Sequence, residues 1–88
     1  MGWTIEYDPR AIRDLNKLDR VIRSEIINYM EERIARVDSP RVFGKSLRHD
    51  KFGLWRYRVR DFRIVCELQE GPRVVLVLGV GYRREVYR

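Results

Sequence analysis

The stretch Gly53-Leu54-Trp55-Arg56-Tyr57-Arg58-Val59-Arg60-Asp61-Phe62-Arg63-Ile64-Val65-Cys66 decides how the rest of this chain is read. Apolar and cationic residues alternate with period two, which is the spacing of a strand whose two faces differ. Trp55, Tyr57 and Val59 are expected on one face, and Arg56, Arg58 and Arg60 on the other. A turn near Asp61 returns the chain as a second strand that brings Arg63 beside them. Guanidinium groups stay charged and grip phosphate through paired N–H donors. A sheet face carrying three or four of them is suited to a polyanion, and nucleic acid leads the candidates.

Outward from this hairpin, the remaining elements fall into order. Trp3 to Tyr7 alternates and is rich in β-formers, so it predicts an opening strand. Asp8-Pro9 is an N-cap followed by a proline at the first helical position, and Ala11, Ile12, Leu15 and Leu18 form a helical apolar stripe. Asp19 caps a second helix in which Ile22, Ile26, Met30, Ile34 and Val37 share a face, until Asp38-Ser39-Pro40 ends it. The corner at Leu18-Asp19-Arg20 is short enough to predict an antiparallel helical hairpin. Residues 40–52 read as a cationic loop anchored by Phe43 and Leu47. Strands follow over 54–60 and 62–69, then a Glu70-Gly71-Pro72 turn. The unbroken apolar run Val74 to Leu78 is a strand covered on both faces, with Gly79 and Gly81 at its exit.

The order β-α-α-β-β-β predicts a two-layer α+β domain spanning 1–88: an N-terminal strand, a helical hairpin and an antiparallel three-strand meander, with both helices on one sheet face. The other face is then left for the arginines. With 88 residues the chain supports one small domain. It is 44% hydrophobic and 36% charged, with 19 Lys+Arg against 13 Asp+Glu and a net charge of +6, so it is globular and favours an acidic partner.

Several classes are disfavoured. One cysteine, Cys66, forms no intramolecular disulfide and reads as a buried structural thiol in a reducing, cytoplasmic setting. With His49 as the only histidine, a His/Cys zinc site has too few ligands, and no metal or cofactor is expected. No signal-peptide pattern opens the chain, and no apolar run approaches the roughly 20 residues that span a bilayer, so no membrane association is expected. There is no phosphate-binding glycine loop, and Ser24, Ser39 and Ser46 have only His49 to activate them, which argues against a serine triad.

Two clusters carry the chemistry. Arg56, Arg58 and Arg63 lie on neighbouring strands, where like charges repel. Asp61 and Glu67 are the carboxylates in reach, too few to neutralise them. Tyr82, Arg83, Arg84 and Tyr87 follow the last strand, and Tyr87 suits base stacking or proton transfer as well as simple edge packing.

Phe43-Gly44-Lys45-Ser46-Leu47, Gly53-Leu54-Trp55-Arg56-Tyr57-Arg58-Val59, Phe62-Arg63-Ile64-Val65 and Val80-Gly81-Tyr82-Arg83-Arg84-Glu85-Val86-Tyr87, taken in this order, resemble the RelE branch of the RelE/ParE toxin superfamily. The resemblance covers nearly the whole chain. It implies the RelE-like microbial RNase fold and the toxin of a type II toxin–antitoxin pair. Its implied activity is ribosome-dependent endonucleolytic cleavage of messenger RNA in the A site, without metal. A ribose 2′-hydroxyl attacks the adjacent phosphate, leaving a 2′,3′-cyclic phosphate and a 5′-hydroxyl. The implied catalytic set is Arg56, Arg58, Arg63, Arg83 and Tyr87, with Lys45, Arg48, Lys51, Arg60 and Arg84 as RNA-binding cations. The implied partners are a cognate antitoxin, the ribosome with its messenger, and operator DNA only through the antitoxin.

Two departures from the branch bear on mechanism. Arg56 and Arg58 stand where the best-known members carry lysines, and a guanidinium does not give up its proton. The general base is therefore open, with Tyr87 favoured over His49. Many relatives also continue into a C-terminal helix, and regulation by displacing that helix is not expected for a chain ending at Arg88. Two other readings share the fold. One is a ParE-like toxin that inhibits DNA gyrase through a protein interface, and the other is a decayed toxin that only binds its antitoxin.

Overall fold

The computed structural model describes residues 2–47 and 53–82. Strand β1, Thr4–Tyr7, leads into helix α1, Pro9–Asn16. Asp8 caps this helix by accepting from the Arg10 N–H at 2.9 Å, and Pro9 takes the first turn, where a missing N–H costs nothing. A corner at 17–19 leads to α2, Arg20–Asn28, capped by Asp19 through the Val21 N–H. Both caps fall where the aspartates predict them.

Instead of continuing as α-helix to Val37, the second helix widens at Tyr29–Ile34 into a π-helical turn, with the Ala35 N–H donating to the Met30 carbonyl. The apolar repeat gives a reason. Ile22, Ile26, Met30 and Ile34 recur every four residues, and such a repeat drifts by about 40° per step on a helix of 3.6 residues per turn. One wide turn takes up that drift. Ile26, Met30 and Ile34 all remain at 0% exposure against the sheet.

The sheet has the order β1-β5-β4-β3-β2, with β2 at Lys45–Ser46, β3 at Leu54–Val59, β4 at Phe62–Gln69 and β5 at Val74–Tyr82. β1 runs parallel to β5, and the other neighbours are antiparallel. The expected meander is thus present, extended at one edge by β1 and at the other by a two-residue strand inside what reads as a loop. Residues 40–42 of that segment form a 3₁₀ turn. β2 is created by the backbone of β3 and has no local sequence signal of its own.

One face of the sheet is covered. Tyr57 from β3, Phe62, Ile64, Cys66 and Leu68 from β4, and Val75, Val77 and Val80 from β5 pack in one cluster with Ala11, Leu15, Ile26, Met30 and Ile34 of the helices. β5 reaches Tyr82 rather than stopping near Leu78, and it carries an irregularity. Val65 pairs with Gly79 but Cys66 pairs with Val77, so Leu78 is an extra residue. The bulge switches the inward positions from odd to even, keeping Val75, Val77 and Val80 all in the core. It also turns the Val80 N–H toward α1, where Asp14 Oδ2 accepts it at 2.9 Å.

Candidate functional site

The register puts one set of side chains on the sheet face opposite the helices. Arg58 lies directly across from Arg63, and Lys45 directly across from Arg56. Like charges in directly opposed positions destabilise a sheet. Here two such pairs stand side by side, and Lys45, Arg56, Arg58 and Arg63 line one recess of about 260 Å³. The alternation of the hairpin therefore gives Arg56, Arg58 and Arg63 their expected face, and the short strand β2 adds Lys45.

Partial compensation reaches Arg58. Its guanidinium lies 3.6 Å from Asp61 and its Nε donates to the Arg60 carbonyl at 2.8 Å. Both partners of that ion pair are more than half exposed, so its energetic value is small. Glu67, the other carboxylate expected nearby, accepts from Gln69 Nε2 at 2.7 Å. Arg63 is different. Its Nε and Nη1 are buried with no hydrogen-bond partner among the described residues. Two donors of a cation withdrawn from water and left unsatisfied are costly.

The strap that carries Lys45 is fixed to β3 at several points. Tyr57 Oη donates to the Pro40 carbonyl at 2.6 Å and Trp55 Nε1 to the Phe43 carbonyl at 2.7 Å. Arg41 pairs with Glu70 and lies over the Trp55 ring. Between these ties sits Gly44, with φ of +75°. A Cβ there would collide with the Arg56 carbonyl and lie 2.7 Å from Trp55 Nε1. Only glycine permits this approach. Gly44→Ala is expected to destabilise the chain by about 1–3 kcal/mol, through a strained φ and forced displacement of the strap. Chemical denaturation reads this directly; an unchanged midpoint would mean the strap moves freely and does not fix Lys45.

Arg60 departs from the expected face. It is the first residue of a two-residue hairpin turn and has φ of +56°, so it leaves the alternation that would align it with Arg56 and Arg58. Its Nε and Nη2 donate to the two Glu25 carboxylate oxygens of α2, each at 2.6 Å. This hydrogen bonding holds the Glu25 carboxyl below the usual range and raises the Arg60 guanidinium. Glu25 carries no signal in sequence, because the contact spans 35 residues.

Arg48, Lys51, Arg83, Arg84 and Tyr87, with His49, lie outside the described residues. Cys66 is fully buried, and burial pushes its thiol far above the ordinary range, consistent with a structural role. Among the described residues no group of three or more His, Cys, Asp or Glu side chains comes together. None of their helices is long and apolar enough to cross a membrane.

Comparison with known proteins bears on what this face belongs to. A family model described as the ParE toxin of the type II toxin–antitoxin system parDE matches residues 5–87. Toxin RelG of Mycobacterium tuberculosis is 27% identical over 88 residues, covering 100% of this chain and 99% of its own length. Toxin RelE of the same organism is 30% identical over 78 residues, covering 89% of this chain and 78% of its own. The crystal structure of the toxin–antitoxin complex RelBE2 from M. tuberculosis matches with a TM-score of 0.84 at 25% identity, covering 94% of this chain and 93% of that one. The family match spans the opening strand, the helices, the cationic hairpin and the last strand, and the curated relatives are RelE-type. This chain therefore belongs to the ParE toxin family of type II toxin–antitoxin systems, within the RelE/ParE superfamily and alongside its RelE-like members.

Proposed function

We propose that this toxin is a ribosome-dependent, metal-independent endoribonuclease that cuts messenger RNA in the A site. The observation that carries the reading is Arg63, which lines one recess with Lys45, Arg56 and Arg58 and has two buried donors without a partner among the described residues. A protein interface has no need to keep such donors unsatisfied, whereas a phosphodiester brings several acceptor oxygens to this cation.

In this mechanism the ribose 2′-oxygen attacks the adjacent phosphorus as the 5′-oxygen departs. The products are a 2′,3′-cyclic phosphate and a 5′-hydroxyl, the proton from the 2′-hydroxyl having passed to a base and another having reached the leaving oxygen. Negative charge accumulates on the non-bridging oxygens. Arg63 and Arg83 donate to them, and Arg56 and Arg58 hold the flanking backbone. Neither Arg56 nor Arg58 accepts the 2′ proton, since a guanidinium keeps its own. Tyr87 orients the 2′-hydroxyl or relays its proton, and the rest of the rate comes from positioning on the ribosome. Lys45, Arg48, Lys51 and Arg84 extend the contact along the phosphates. Translated messages are in the cytoplasm, and there a cognate antitoxin silences the toxin and alone contacts the operator.

The ParE description of the matching family favours one second reading, in which the target is DNA gyrase and no RNA is cut. Primer extension on a translated message after induction separates the two. Cuts inside codons are the expected outcome, with ribosome affinity falling steeply as salt rises. Intact RNA with gyrase-dependent DNA damage would transfer the chain to the second reading.

A further inference from the structure

Strand β1 ends at Tyr7, opposite Val77, and the Asp8 N–H closes that ladder by donating to the Val77 carbonyl at 2.9 Å. Beyond this point β5 keeps a strand neighbour on its β4 side only, among the described residues. Asp14 of α1 takes the place of the missing strand. Its Oδ2 accepts the Val80 N–H at 2.9 Å, across 66 residues of sequence, and the carboxylate makes this a charge-assisted bond.

The register held there decides what stands opposite Arg63. Cys66 pairs with Val77, and past the bulge Ile64 pairs with Val80 and Arg63 with Gly81. Without the extra residue the same ladder would set Val80 opposite Arg63 and Gly81 opposite Phe62. Directly opposed residues share a face, with Cβ atoms about 4.5–5.5 Å apart. A branched valine would then stand beside the guanidinium, on the face where Lys45, Arg56 and Arg58 line the cationic recess, and the core would lose Val80. In the shifted register Gly81 brings no side chain to that position, as is usual where another backbone must come close. A one-residue slip exchanges the two faces of a strand, so this arrangement depends on what holds the end of β5.

We infer that Asp14 is a positioning residue for the cationic site: it anchors the end of β5 in the register that sets Gly81 opposite Arg63, which keeps β5 side chains off that flank of the guanidinium, where a ribose–phosphate backbone approaches. The inference rests on the RNA-cleaving reading above and adds to it one residue of α1 and one glycine of the open face. Asp14 touches no substrate and acts through the Val80 N–H.

The test uses the full chain freed of its antitoxin and a short single-stranded oligoribonucleotide, 2′-O-methylated throughout so that it cannot be cut, titrated at fixed low salt. Arg63→Ala should weaken binding by roughly 10- to 150-fold, the worth of hydrogen bonds from a charged group. Asp14→Ala and Gly81→Val should each weaken it by about fivefold or more, as a misplaced or obstructed donor does. Asp14→Asn should bind like the parent, because its amide oxygen still accepts the Val80 N–H. Gly81→Val should melt at or above the parent, since glycine weakens a strand interior. It leaves the Asp14 bond in place and so reads the register even where Asp14→Ala does not fold. In an Arg63→Ala background neither Asp14→Ala nor Gly81→Val should weaken binding further. If Arg63→Ala loses affinity while Asp14→Ala or Gly81→Val binds like the parent, the inference is overturned and the RNA-cleaving reading stands. Equal losses with and without Arg63, or an Asp14→Asn as weak as Asp14→Ala, likewise overturn it, by making Asp14 a general support of the fold. Parent-like binding by Arg63→Ala removes the phosphate assignment and this inference with it.

Discussion

Replacing Arg63 by alanine should reduce cleavage of translated messages by at least about a hundredfold and relieve growth arrest, without unfolding the protein. The size follows from what a preorganised donor to a developing oxyanion contributes, commonly 10²–10³ in rate. The Arg63 guanidinium lines the cationic recess, and two of its donors have no acceptor among the described residues. The same features predict an unusual stability result. Arg63 lies directly opposite Arg58, and removing one of two facing cations removes a repulsion as well as two unsatisfied buried donors. The melting temperature of Arg63→Ala should therefore hold or rise as activity disappears. Arg63→Lys keeps the charge but loses the forked geometry, and an intermediate rate is expected. Primer extension, growth curves and a thermal melt on each variant supply the three readouts. A fully toxic Arg63→Ala would end the endoribonuclease reading in favour of the gyrase one, and a large fall in melting temperature would make Arg63 a structural residue.

Ile26→Ala should have the largest effect on stability. Ile26 is fully buried at the interface between α2 and the sheet, in the same cluster as Met30, Ile34, Tyr57 and Ile64. Truncating such a residue loses its transfer free energy and leaves a cavity, together about 2–5 kcal/mol. Small domains have modest total stability, and for this size each kcal/mol moves the melting point by about 4–8 °C, so a fall of roughly 10 °C or more is expected. Val21→Ala on the same helix is the control. Val21 is 58% exposed, and its replacement should stay within about 0.5 kcal/mol. Equal melting of Ile26→Ala and parent would show that this face of the helix does not hold the core.

Much of the architecture was legible because its signals are local. The alternation at 54–60 and 62–66 assigns faces to Arg56, Arg58 and Arg63, since a strand has only two sides. Asp8-Pro9 and Asp19 mark helix starts because capping is settled within three residues. Arg60 shows where that logic stops. It continues the alternation in sequence, but the chain must reverse there, and turn geometry overrides strand periodicity. The strand at Lys45–Ser46, the extension of β5 through two glycines and the π-helical turn are equally invisible locally. Each exists because a distant partner demands it: the β3 backbone, the pairing with β4, or the flat face of the sheet.

For the site, the order of residues alone specifies the inventory and the sign: an excess of arginines, three of them committed to one side of a hairpin, in an order that resembles a toxin family. The pairing came from the folded arrangement of strands and helices. It set Arg58 against Arg63 and Lys45 against Arg56, left two Arg63 donors without acceptors among the described residues, used Arg60 to clamp Glu25 across 35 residues, and stacked Tyr82 on Phe62 behind the cationic face. The physical reason is one of range. Periodicity and capping are properties of neighbouring residues, whereas register and burial depend on which strands meet, and whether a buried cation keeps free donors depends on everything packed around it.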